Sequence, residues 1–132
     1  MALDRDLDRY YSRRLSMQLN HEKLDVYQAS TEFLAISFSI IQNMPSGYAF
    51  LSDQLKRASL SIPLNIAEGN GKFTGYPLGA DKAKFYHIAR GSATECGAIL
   101  DAAHIMKVLD SKQWQTGKFL LTRIVSMLCK ML

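Results

Sequence analysis

The chain has 132 residues, of which 48% are hydrophobic and 21% charged, and its formal net charge is +4. This is the composition of a single folded domain, and it excludes a largely disordered chain. No apolar run approaches the roughly 20 residues of a membrane-spanning helix, and the charged N-terminus does not resemble a secretory signal. We therefore expect a cytoplasmic protein without membrane contact, in which Cys96 and Cys129 are reduced thiols.

Residues 1–20 precede the periodic part of the sequence and form a predicted leader, either a short helix or a disordered segment. The remaining residues, 21–132, show apolar side chains at alternating intervals of three and four, which is the spacing of one helix face. No strand-like alternation separates these stretches. The sequence therefore predicts an all-α, up-and-down four-helix bundle. The predicted helices cover residues 21–43, 50–68, 81–109 and 111–132.

Each predicted helix has an apolar seam, and the first has two. Because the second stripe of helix one makes its apolar face wider than one seam requires, this helix is either deeply buried or in contact with another copy of the chain, and we favour the latter. The seams are Leu24, Tyr27, Thr31, Leu34, Phe38 and Ile41, with a second stripe of Val26, Ala29, Phe33, Ile36 and Ile40; then Leu51, Leu55, Ala58, Ile62 and Ile66; then Phe85, Ile88, Ser92, Glu95, Ile99, Ala102, Met106 and Leu109; and finally Trp114, Gly117, Leu121, Ile124, Leu128 and Met131.

Turn-forming residues separate the helices. Gly69 and Gly71 are predicted to supply left-handed backbone positions that end helix two. Residues 73–80 contain two glycines and a proline and are predicted to form a loop. Asp110 or Ser111 is the predicted N-cap of helix four.

Two segments resemble a known family. Residues 54–72, QLKRASLSIPLNIAEGNGK, and residues 85–95, FYHIARGSATE, together with LDVYQAS at 24–30, resemble the bacterial four-helix-bundle proteins of 23S ribosomal RNA intervening sequences. The longer loop after Lys72 and the leader depart from that family's pattern. The matching positions are Gln54, Arg57, Ala58, Ser61, Ile62, Pro63, Asn65, Ile66, Ala67, Glu68, Gly69, Gly71, Lys72, Ile88, Ala89, Gly91, Ser92 and Glu95.

The resemblance implies a left-handed bundle that assembles as a ring-like homopentamer. Similar pentameric bundles are accessory subunits of diversity-generating retroelements, where a basic surface engages nucleic acid and a reverse transcriptase. For members from intervening sequences, the resemblance implies no settled activity.

Several motif residues pose a physical question within a bundle. Pro63 removes a backbone donor inside helix two and predicts a kink there. Asn65 lies near the core seam and is expected to be hydrogen-bonded. Glu95 falls on the predicted seam of helix three, where a carboxylate needs a partner. Arg57 or Arg90 can supply the cation for Glu95, and Gln54 or Ser92 the polar contact.

These polar residues have competing interpretations. We favour a network that fixes helix register or a subunit interface. The alternatives are a ligand or partner site and, last, an enzyme with an interfacial site near Glu68 and Glu95. The many glycine and alanine residues of helix three, Gly91 among them, are interpreted as packing, which makes this helix the most central.

The sequence offers no recognisable catalytic, metal or cofactor chemistry. None of the glutamates is followed three residues later by histidine, which excludes the usual carboxylate metal site of bundles. Asp101 and His104 can share a metal by spacing, but such a pair is more often a surface pair. The Gly69–Lys72 segment lacks the spacing of a phosphate-binding loop. We expect no catalytic residue, no metal and no cofactor.

The positive charge is concentrated in the last helix, which has four basic residues and no acidic one after Asp110. This predicts RNA or DNA as a partner, bound through its backbone, since no aromatic residue is evidently interleaved with the basic ones. A protein-binding scaffold, using helix one or residues 73–84, is the alternative. The candidate nucleic-acid residues are Lys56, Arg57, Lys72, Lys118, Arg123 and Lys130.

Overall fold

The computed structural model describes residues 19–72 and 80–132. Most of the predicted leader, and residues 73–79 of the predicted loop, lie outside the described part. Within it there are only helices and turns, which confirms the predicted all-α four-helix fold. A 3-10 turn, Asn20–Lys23, precedes four helices: α1 Asp25–Gln42, α2 Ala49–Gly71, α3 Ala80–Ile105 and α4 Ser111–Met131.

The helices form a closed square. Each consecutive pair is in contact and α1 also contacts α4, whereas the backbones of the diagonal pairs do not come within 8 Å of each other, Cα to Cα, in the described residues. The α2–α3 contact is the most extensive, so no single helix is central, contrary to the interpretation of α3. Since α1 and α2 share one side of the square, the α3–α4 side lies opposite. None of the described helices is long and apolar enough to cross a bilayer.

The seams predicted for α2 and α4 face the core. All five predicted seam residues of α2 are buried, and α2 runs through Pro63 without a break. In α4 the seam is buried from Gly117 to Leu128, while Trp114 and Met131 at its ends are half-buried. Because large aliphatic residues at 3-4 spacing occupy one face of each of these helices, the periodic pattern alone identifies the buried face.

Helix α1 buries its second stripe. Val26, Phe33 and Ile40 are at most 3% exposed and belong to the core. The first stripe lies on the side of α1 nearest α2, and its Phe38 is 57% exposed. A wide apolar face thus remains partly uncovered, as its width predicts.

The predicted seam of α3 is wrong by about one residue. Tyr86, Cys96 and Leu100 are fully buried, whereas Ile88 and Glu95 of the predicted seam are exposed. Apart from Ile99, a predicted seam residue that is buried, the rest of the inward face of α3 is made of alanines, whose small size gives weak contrast between inside and outside. The predicted seam of α3 therefore followed residues that lie beside the α2 contact instead of the buried face.

Two helix ends also differ from prediction. Gly69 and Gly71 do not end α2 with left-handed backbone; both lie within the helix, and the only glycine with positive φ in the described residues is Gly47, at 94°. Helix α3 ends at Ile105, where Lys107 takes the left-handed conformation with φ 63°. Asp110 caps α4 as predicted, its Oδ1 accepting from the Gln113 backbone N–H at 2.7 Å.

Candidate nucleic-acid interface

Motif residues gather along the contact between α2 and α3. The hydroxyl oxygens of Ser61 and Ser92, one from each helix, are 2.8 Å apart. The Asn65 side-chain amide donates to the Ser61 carbonyl oxygen at 2.8 Å and to the Ser61 hydroxyl at 3.0 Å. Asn65 is thus hydrogen-bonded, as its position beside the core predicts. This network links α2 to α3 through the Ser61–Ser92 pair.

The carboxylate of Glu95 is not in the core. It faces α2, where its Oε1 lies 3.9 Å from Nη2 of Arg57, and the two side chains are 46% and 76% exposed. The prediction that the Glu95 carboxylate lies on the core seam is therefore wrong, because the buried face of α3 is shifted by about one residue from the predicted face. A long ion pair at this exposure contributes little to stability. Gln54, one turn earlier on α2, is exposed.

A second exposed ion pair joins the last turn of α2 to the residue that follows the helix. Glu68 Oε1 accepts from Lys72 Nζ at 3.1 Å, one turn along. The Lys72 ammonium also lies 5.5 Å from the centre of the Phe85 ring. The charge of Lys72 is therefore partly neutralised by its own neighbours.

Gly69 and Gly91, two of the motif glycines, lie in different surroundings. A Cβ atom at Gly69 would lie 2.8 Å from Cε1 of Tyr86 and 3.1 Å from Cβ of Phe85, so glycine permits the close approach of α2 to α3. A Cβ atom at Gly91 would meet nothing within 4 Å. The packing interpretation of Gly91 is therefore wrong within one chain.

Polar side chains also connect α3 to α4. Asp101 Oδ1 accepts from Trp114 Nε1 at 2.9 Å and from Lys118 Nζ at 2.7 Å. These two hydrogen bonds, that from Lys118 foremost, lower the pKa of the Asp101 carboxyl. His104 stacks on Trp114 with ring centres 4.2 Å apart, and its Nε2 lies 3.4 Å from Ser111 Oγ. Across residues 19–72 and 80–132 no group of three or more His, Cys, Asp or Glu side chains is placed to hold a metal.

The thiol of Cys96 is fully buried. Burial, with a smaller contribution from the Glu95 charge, raises the pKa of Cys96 to about 12. The thiol therefore stays protonated at neutral pH and is no thiolate nucleophile. Cys129, the other free cysteine, is exposed.

The candidate basic residues fall into two groups. Arg57, Lys72 and Lys118 each have a carboxylate within 4 Å. Arg123 and Lys130 on α4, together with Lys56 on α2, are exposed and form no ion pair with any described carboxylate. The six candidates do not form one surface, because Lys56 and Arg57 lie on opposite edges of α2 while the others lie elsewhere.

Helix α4 carries an outer stripe, defined here as Lys112, Phe119, Arg123 and Lys130. These residues follow each other at intervals of seven, four and seven, which places them on one side of a helix. All four are exposed, and the Phe119 side chain is 66% exposed. An aromatic ring is thus interleaved with basic residues, contrary to the expectation from sequence. The signal was present: Phe119 is out of phase with the buried seam of α4.

Arg90 is a second residue whose environment the sequence did not indicate. It was a predicted partner of Glu95, but its Nη1 donates to Cys129 Sγ at 3.8 Å and its Nη2 lies 3.4 Å from His87 Nδ1. The α3–α4 register, which places Arg90 beside the end of α4, is not readable from α3 alone.

An apolar groove runs between α1 and α2, on the side of the bundle opposite the α3–α4 contact. Its volume is about 670 Å³. Leu34, Phe38 and Ile41 of α1 form one wall, and Leu60 and Lys56 of α2 form part of the other. Phe38 and Leu60 are 57% and 46% exposed, so this groove is the uncovered part of the wide face of α1.

Comparison with known proteins gives one family. The family model described as 23S rRNA-intervening sequence protein matches residues 22–130, which include α1, α2 and α3 entirely and all of α4 except Met131. No curated protein matches the chain.

Proposed function

Because the chain belongs to the 23S rRNA-intervening sequence protein family, we propose that it is a non-enzymatic, homo-oligomeric bundle protein that binds nucleic acid in the cytoplasm. The family description names where such proteins are encoded and no reaction. The proposal has two parts: the α1–α2 groove is covered by another copy of the chain, and a basic surface of the assembly binds RNA or DNA.

One observation carries the nucleic-acid part. Helix α4 has basic residues and no acidic residue, and its exposed Arg123 and Lys130 lack carboxylate partners among the described residues. Three other candidate cations are neutralised locally. A +4 chain repeated five times gives a charge of roughly +20, which attracts polyanions strongly at low salt.

The assembly part is supported by the α1–α2 groove. Contiguous apolar patches that stay exposed on a small domain are typical of protein contacts. A ring of five copies is the form we propose, in agreement with the family resemblance. The same groove favours a second candidate function, a scaffold that holds another protein and does not touch nucleic acid.

Binding of fluorescently labelled RNA and duplex DNA, measured across a salt series, tests the proposal. Arg123→Glu/Lys130→Glu should weaken binding and lower the slope of log affinity against log salt by about 1.4 to 1.8, because two phosphate contacts are lost. Lys23→Glu/Lys107→Glu is the matched control, since it changes net charge equally at exposed positions outside α4. Absence of binding by the unmodified protein at low salt overturns the nucleic-acid part and leaves the scaffold.

A further inference from the structure

The outer stripe of α4 combines an exposed aromatic ring with exposed cations. We propose that it binds single-stranded nucleic acid, with a base stacked on the Phe119 ring and backbone phosphates held by Arg123 and Lys130. This inference rests on the proposed function and adds to it the strandedness of the ligand and the residue that selects for it.

Within residues 19–72 and 80–132, nothing explains the exposure of Phe119. Phe119 lines neither the α1–α2 groove nor the shallow depression between α3 and α4. It forms no aromatic pair within the described residues. Its ring is 66% exposed on a helix whose buried face is already filled by Leu120, Leu121 and Ile124. The ring therefore offers a free face to a planar ligand.

The cations on either side of Phe119 are also available. Arg123 follows Phe119 by one helical turn, and Lys130 follows by three turns on the same side of α4. Lys112 precedes Phe119 by two turns, so the stripe extends over about 27 Å of helix. No described carboxylate forms an ion pair with these three cations. The stripe thus presents one sign of charge on both sides of the ring.

This arrangement favours single strands over duplexes. In a duplex the bases are stacked on each other and their faces are hidden, so a protein ring on a convex helix reaches only the backbone. Single strands expose base faces, and proteins bind them through positive tracks with aromatic platforms that tolerate any sequence. The interval of one turn between Phe119 and Arg123 lets one nucleotide contact both. RNA and DNA share this chemistry.

Fluorescence anisotropy with labelled oligo-uridine, oligo-thymidine and a mixed-sequence duplex tests the inference on the full chain. Phe119→Leu retains apolar bulk and removes the ring, so single-strand affinity should fall roughly tenfold while the salt slope stays unchanged. Phe119→Tyr should bind as the unmodified protein does. Arg123→Ala should lower the single-strand salt slope by about 0.7. The two labelled single strands show whether ribose or deoxyribose is preferred.

The controls separate this inference from the proposed function. Phe50→Leu changes another half-exposed aromatic residue at the start of α2, and it should leave binding unchanged. Equal single-strand affinity of Phe119→Leu and the unmodified protein overturns the inference, while the proposed function stands if Arg123→Glu/Lys130→Glu still weakens binding. A change of assembly mass in Phe119→Leu also overturns it, because the ring is then a contact between copies.

Discussion

The contacts that α3 makes with its two neighbours differ from the contact between α1 and α2. Ser61 and Ser92 join α2 to α3, and Asp101 joins α3 to α4 through Trp114 and Lys118. No side-chain hydrogen bond joins α1 to α2 among the described residues, and an apolar groove remains open between them. The α2–α3 and α3–α4 contacts thus include polar links between helices, while the α1–α2 contact lacks them in the described residues and retains apolar surface suited to a partner.

Substitutions in the α1–α2 groove and substitutions at the contacts of α3 should therefore change different measured properties. A change in the α1–α2 groove should alter assembly and leave the fold intact. A change at the contacts of α3 should alter the stability of the single chain. Three experiments, in order of decreasing effect, test this division.

Phe38→Glu should have the largest effect, because it places a charge in the groove. Phe38 is 57% exposed in the single chain, so the helix content and the melting temperature of the subunit should change little. The mass measured by sedimentation or light scattering should fall from five subunits to one. Ile105→Glu, at a 77% exposed position beyond the groove, should retain the assembly mass. An unmodified protein with the mass of one 14.8 kDa subunit contradicts the assembly proposal outright.

Alanine at Gly69 and alanine at Gly91 should have opposite effects on the free energy of unfolding. Gly69→Ala pushes a methyl group into Tyr86, and overpacking of this kind costs about 1–3 kcal/mol, partly offset by better helix propensity. Gly91→Ala meets open space and should raise the free energy of unfolding by about 0.5–1 kcal/mol. Urea denaturation measures both. A destabilised Gly91→Ala variant would place that glycine at an unrecognised contact.

How well the sequence predicts the buried face differs from helix to helix. The inward faces of α2 and α4 follow from large aliphatic residues at regular spacing. On α1 the spacing gave two equivalent stripes, because Phe33 and Phe38 are equally apolar and only the neighbouring helices decide which is buried. On α3 three of the seven buried residues are alanine, which contrasts little with the outer face, and the predicted phase of this helix was wrong by about one residue.

The candidate interface was only partly predictable. Arg123 and Lys130 share a stripe by spacing alone. The neutralisation of Lys118 by Asp101, and the position of Arg90 beside Cys129, depend on how α3 and α4 are aligned, and this alignment is a long-range property. Phe119 could have been found by noting that it is out of phase with the α4 seam.

The smallest of these effects concerns the α3–α4 contact and its pH dependence. Asp101→Asn removes a charge that Lys118 and Trp114 stabilise, and because the pair is more than one-third exposed, the loss at pH 7 should be below about 1 kcal/mol. The folded-state pKa of Asp101 is lowered, so its contribution is complete above the unfolded pKa of about 3.9 and disappears as pH falls through the lower folded value. Denaturation of both proteins from pH 7 to pH 2 should therefore show curves that converge below about pH 4. A difference that persists at pH 2 would mean that Asp101 acts through shape and its hydrogen bond to Trp114, and that the α3–α4 contact does not depend on charge.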